Sequence, residues 1–113
     1  MCPGEIYLAQ FPFGDVPGMK LRPVLLLTGA IGPIPEILVA YISSVIPTTL
    51  LPSDILIDPS KPEFQLTHLK VTSVLRLHKL ATIHRTSLAR HLGGVDPSTQ
   101  FTIVGKVKTL LQL

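Results

Sequence analysis

Pro23-Val24-Leu25-Leu26-Leu27 is an uninterrupted apolar run opened by a proline. Four consecutive apolar residues leave a strand no polar face to give to water, so both of its faces must be covered. Proline has no N–H for a ladder, so it is expected at the first position of such a strand. A buried strand starting at Pro23 is therefore expected, with Lys20 and Arg22 at its mouth. The guanidinium of Arg22 stays charged, and its fixed fork of donors suits a phosphate. The alternative for an Arg at this place is an ion pair with an acidic neighbour at the strand end.

The 113 residues make one domain, 1–113, with a real core but of a size at which a second subunit helps to bury apolar surface. Apolar residues are 46% of the chain and charged ones only 15%, so apolar surface is expected to face another chain, most simply a second copy. The net charge of +3 permits a nucleic-acid partner, although no dense Lys/Arg block is present. The charge-free run from Ile37 to Ser53 is broken by Pro47 and carries Ser43, Ser44, Thr48 and Thr49, so no membrane span is expected. No secretory signal is expected from the opening residues, and the single cysteine, Cys2, agrees with a reducing cytoplasm. No Cys/His cluster has metal-site spacing, and neither metal nor cofactor is expected.

Prolines and glycines cut the remainder into short pieces. Residues from Glu5 to Phe11 alternate as a first strand, and the segment from Phe11 to Lys20, with two prolines and two glycines, is a long loop leading into Arg22. Strands are predicted from Pro23 to Thr28, from Glu36 to Ser43, and from Asp54 to Asp58 between Pro52 and Pro59. A strand pair follows, Leu69 to Leu77 and Lys79 to Ile83, then a short helix from Leu88 to Leu92 capped by Thr86 or Ser87 and stopped by Gly93-Gly94. Asp96 as N-cap, Pro97 at the first helical position, and Phe101, Val104, Val107 and Leu111 at helical spacing predict a terminal amphipathic helix. Five or six short strands with such a helix describe a mainly β protein with short helices: a small barrel closed by a C-terminal α-helix.

In this order the pieces resemble the MazF/PemK family of toxin mRNA interferases. The resemblance is carried by Pro3-Gly4-Glu5-Ile6-Tyr7, Phe11-Pro12-Phe13, Lys20-Leu21-Arg22-Pro23-Val24-Leu25, Leu38-Val39-Ala40-Tyr41-Ile42-Ser43, Leu51-Pro52-Ser53-Asp54-Ile55 and Ser73-Val74-Leu75-Arg76-Leu77. It implies an SH3-like barrel, a homodimer, metal-free cleavage of single-stranded RNA, and inhibition by a cognate antitoxin peptide laid over the RNA groove. The family's Arg at the Arg-Pro step falls on Arg22, and the Thr that many members carry at the end of the next strand falls on Ser43, which keeps the hydroxyl but not the methyl. PemK-like members carry an Arg two residues before an Asp on the later strand. Arg76 matches the first, and His78 stands in place of the carboxylate.

RNA can be cut without a metal when its own 2′-hydroxyl attacks the adjacent phosphorus, given a base for that hydroxyl, positive charge for the phosphorane and an acid for the departing 5′-oxygen. Arg22 and Arg76 are the expected clamps, Ser43 the orienting hydroxyl, and His78 the base or acid, since an imidazole titrates near neutrality. The expected RNA contacts are Lys20, Ser44, Tyr41, Phe13 and Lys79, with Tyr41 able to stack on a base. Plainer roles are open for each: turn hydrogen bonding for the serines, a solvated strand position for His78, core packing for Tyr41, loop anchoring for Phe13. Two other functions are open as well. Gyrase-poisoning toxins use the same small barrel, and a degenerate member could bind RNA or antitoxin without cutting.

Overall fold

The computed structural model describes residues 1–10 and 21–113. The loop expected from Phe11 to Lys20, with the candidates Phe13 and Lys20, lies outside the described residues. Among the described residues, six strands form one antiparallel sheet: β1 (Glu5–Gln10), β2 (Leu21–Leu26), β3 (Glu36–Ser43), β4 (Asp54–Ile57), β5 (Ser73–His84) and β6 (Leu88–Gly94), ordered β4-β5-β3-β2-β1-β6. Two 3₁₀ turns, Pro62–Thr67 and Arg85–Ser87, and a terminal helix α1 (Pro97–Leu111) complete the fold. Covering of β2 on both sides follows from its sequence: Leu25 joins Ile6, Ile42, Leu75, Leu77 and Ile103 in one cluster, while Val24 and Leu26 join Ile37, Val39 and Ile83 in another. Successive side chains of β2 point to opposite faces, and here both faces are dry.

Five expectations change. β2 begins at Leu21 rather than at Pro23, which stands third and pairs with Leu8 of β1; pairing with β3 starts only at Val24, so the missing N–H of Pro23 costs no ladder bond on that side. Closure into a barrel is not seen among the described residues, because β4 and β6 end the order and do not pair. The β6 end is instead covered by the first 3₁₀ turn, which approaches so closely that a Cβ on Gly93 would stand 2.1 Å from the Leu66 carbonyl oxygen. Residues Leu88 to Leu92 are therefore not a helix but part of β6, paired with β1, and Gly93 serves close backbone packing rather than a helix stop. The expected strand pair around His78 is one continuous strand, β5, with its break at a bulge: Ala40 pairs with Leu80 and the next residue, Tyr41, with Arg76. The Leu77 N–H, displaced from β3, donates to the Ser53 carbonyl oxygen at 3.0 Å. Lastly, α1 forms where expected, with the Asp96 carboxylate accepting from the Thr99 N–H at 2.7 Å, but it seats Thr99 and Ile103. Phe101, expected on the buried face, is 82% exposed, and Val104 and Leu111 are exposed too.

Candidate nucleic-acid cleft

At the sheet end where β2 begins and β3 finishes, Arg22, Tyr41, Ser43 and Ser44 line one cleft of about 450 Å³. That volume lies in the range of ordinary ligand sites. The β2–β3 register places Tyr41 opposite Val24, and Ser43 ends the strand two residues on. The Ser43 hydroxyl accepts from the Val45 N–H at 3.1 Å and faces the Val45 carbonyl at 3.4 Å, so it closes the turn after β3 as well as lining the cleft. Ser44 is exposed beside it. The half-buried Arg22 donates to the Leu21 carbonyl oxygen at 3.3 Å.

Three further lining residues were not legible in the sequence: His68 and Lys70, from the segment after the first 3₁₀ turn, and Arg90, from β6. Arg90 arrives because β6 is a strand. Leu8 of β1 is matched with Pro23 on one side and Arg90 on the other, which puts all three on one side of the sheet. A helix over these residues would have scattered them. The one available signal was the strand-like spacing of Leu88, Arg90 and Leu92, outweighed by the glycine pair. Arg22, Lys70 and Arg90 thus line one cleft, and none of its lining residues among those described is an Asp or Glu. A cleft lined by one sign of charge concentrates the opposite sign, here an anion.

Arg76 and His78 share a face, as their i, i+2 spacing requires, but they converge on a residue that the sequence did not single out. The Asp54 carboxylate, whose side chain is 0% exposed, accepts from Arg76 Nε at 3.0 Å and from the Leu51 N–H at 2.8 Å. His78 Nδ1 lies 3.9 Å from the same carboxylate and 2.7 Å from the Ser53 hydroxyl. Burial pushes the Asp54 carboxyl up, yet the Leu51 N–H and the hydrogen bond and charge of Arg76 outweigh it and hold the group below its ordinary value. Arg76 and His78 are absent from the lining of the Arg22 cleft. His78 borders a second, larger cleft of about 870 Å³ beside α1, with Ser53, Thr102, Gly105 and Lys106. Tyr41 connects the two groups. It pairs with Arg76 across the strands and lines the Arg22 cleft, while Lys79 Nζ sits 5.8 Å from its ring centroid. No group of three His, Cys, Asp or Glu residues fit to hold a metal ion occurs among the described residues.

The profile of the family described as PemK-like, MazF-like toxin of type II toxin-antitoxin system matches residues 3–111. The chain belongs to this family. Solved structures agree with the toxin-family fold. One of an endoribonuclease in complex with its cognate antitoxin from Mycobacterial species is 19% identical and superposes with a TM-score of 0.70, over 100% of this chain and 96% of that one. The Mycobacterium tuberculosis toxin MazF-mt6 is 23% identical, with a TM-score of 0.71 over 96% and 97% of the two chains. MazF from Deinococcus radiodurans is 16% identical, with a TM-score of 0.67 over 99% and 96%. No curated protein matches the sequence. No helix among the described residues is long and apolar enough to cross a membrane.

Proposed function

We propose that this toxin-family chain cleaves single-stranded RNA in the Arg22 cleft, by attack of a 2′-hydroxyl on the adjacent phosphate and without a metal ion. The observation that carries the reading is the gathering of Arg22, Lys70 and Arg90 around Ser43, Ser44 and Tyr41, with no carboxylate among the described residues of the lining. Such a wall attracts a polyanion and stabilises the extra negative charge of a phosphorane more than that of the ground state. Arg22 clamps the phosphate, Ser43 and Ser44 orient it, and the Tyr41 ring offers a stacking face for a base. Arg76, already bound to Asp54, and His78 act from beyond Tyr41, and Lys79 extends the RNA path; Lys20 and Phe13, outside the described residues, are further RNA contacts by their chemistry. A cognate antitoxin peptide is the natural inhibitor of such a site. The structures of an endoribonuclease and a MazF solved with antitoxins support that partner.

The chain works as a homodimer in the cytoplasm. Exposed Phe101, Val104, Leu110 and Leu113 support the pairing, because a small, lightly charged monomer rarely leaves so much apolar surface in water. Burial of β2 and β3 on both faces supports reading the open sheet as a curled relative of the SH3-like barrel. The deciding experiment incubates purified protein with single-stranded RNA in excess chelator. Wild type should cut, and Arg22→Ala should cut about 10²- to 10³-fold more slowly with its melting temperature unchanged. Arg22→Lys should recover little, since a point charge cannot reproduce a bidentate grip. Full activity in Arg22→Ala would move the reaction out of this cleft.

A further inference from the structure

Resting on the RNA-cleavage reading, we propose that His68 is the proton-transfer residue of the Arg22 cleft and receives the 2′-hydroxyl proton at its Nε2. Four histidines are present, and three are held by other tasks. His84 Nδ1 accepts from the Thr86 N–H and caps the second 3₁₀ turn. His91 Nε2 pairs with Glu5 at 2.9 Å and sets its ring edge-on to Tyr7. His78 is engaged with Ser53 and borders the α1 cleft. His68 lines the cleft that holds Arg22.

Its geometry fits the task. His68 Nδ1 lies 2.7 Å from the Leu92 carbonyl oxygen, and a carbonyl can only accept. Nδ1 therefore carries the hydrogen, and in the neutral ring the lone pair sits on Nε2, for which the described residues provide no hydrogen-bond partner. The same bond anchors the ring to β6, the strand that carries Arg90. His68 also holds φ 55° and ψ 23°, a left-handed conformation that a side chain with a Cβ rarely adopts. Glycine would end the 3₁₀ turn with less strain, so a histidine here is explained by its ring rather than by the turn. Among the described residues, the charged groups that line the same cleft are Arg22 from β2, Arg90 from β6 and Lys70 from its own segment, with Tyr41 from β3 as the remaining titratable side chain of the lining. In the step itself, the O2′–H proton passes to Nε2 as O2′ bonds to phosphorus. The P–O5′ bond breaks, and O5′ takes a proton from water. The products are a 2′,3′-cyclic phosphate and a 5′-hydroxyl end, and His68 returns its proton to solvent.

The test uses His68→Asn, since Asn tolerates the left-handed conformation and can donate to Leu92 but cannot accept a proton. Expected are a cleavage rate lower by about 10²- to 10⁴-fold, unchanged binding of fully 2′-O-methylated RNA, and loss of the acid limb that the pH–rate profiles of wild type and His84→Gln show. Should His68→Asn not fold, carbethoxylation of wild type, mapped by mass spectrometry, must block cutting in proportion to His68 modification. Cleavage by His68→Asn within about threefold of wild type, with the acid limb kept, overturns the proposal. An acid limb lost in His78→Gln but kept in His68→Asn also overturns it and moves proton transfer to the Asp54 side. Loss of 2′-O-methyl RNA binding in His68→Asn overturns it in favour of a purely structural role. A wild type that binds RNA without cutting refutes the cleavage reading and this proposal together, whereas failure of His68 alone leaves a wild type that cuts.

Discussion

Replacing Asp54 by alanine should be the most damaging single polar change in this protein short of a backbone clash. The carboxylate has a side-chain exposure of 0%, and it accepts from the Leu51 N–H at 2.8 Å and from Arg76 Nε at 3.0 Å. Removing one partner of a fully buried ion pair costs about 3–5 kcal/mol, because the other charge is left without compensation. The Arg76 side chain is 18% exposed and can recover part of its hydration, which places the cost at the low end, about 3 kcal/mol. For a chain of this size that corresponds to a fall in melting temperature of roughly 10 °C. Asp54→Asn keeps the volume and one acceptor and should lose about half as much. The Asp54 carboxyl titrates below its ordinary value in the folded protein, so its stabilisation is complete above the ordinary carboxylate range and is lost as pH falls through the lower folded value. Wild type should accordingly lose stability more steeply than Asp54→Asn on acidification below about pH 4. Thermal and urea unfolding followed by circular dichroism, at fixed protein concentration and a series of pH values, measures both effects. An Asp54→Ala melting temperature within about 2 °C of wild type, or parallel acid limbs, would refute the reasoning.

Gly93→Ala should destabilise by at least about 1–3 kcal/mol, because its Cβ would stand 2.1 Å from the Leu66 carbonyl oxygen and backbone on both sides must shift; a urea midpoint equal to wild type would contradict the packing of the 3₁₀ turn on β6. Binding of 2′-O-methyl RNA should weaken with salt, and Lys70→Ala and Arg90→Ala should each flatten the log–log slope by about 0.7 if each cation meets one phosphate. Slopes unchanged in both variants would place the RNA elsewhere. In sedimentation at micromolar concentration the protein should run as a dimer burying about 2,000 Å² or more, and Phe101→Asp should shift it towards monomer; a monomeric wild type would leave the exposed face of α1 without this explanation.

Local chemistry along the chain determined several elements by itself. An apolar run behind Pro23 has to be a covered strand, β-branched and aromatic residues between Pro35 and Ser44 place β3, and Asp96-Pro97 starts α1. Each depends on steric or hydrogen-bonding preferences of adjacent residues, and those are present in the sequence whatever the fold. The family motifs likewise drew attention to Arg22 and Ser43, which the structure brings to one cleft. Other features depended on contacts between distant segments. Whether residues 88–94 coil or extend was decided by pairing with β1, for a short apolar stretch ending in two glycines satisfies either state until a partner strand supplies its hydrogen bonds. That pairing delivers Arg90 to the cleft, and the carbonyl of Leu92 selects the His68 tautomer. The buried face of α1 followed from where the sheet lay, not from its most hydrophobic stripe. Asp54 became the partner of Arg76 only because β4 pairs with β5, and no spacing along the chain encodes a contact between residues brought together by two separate strands.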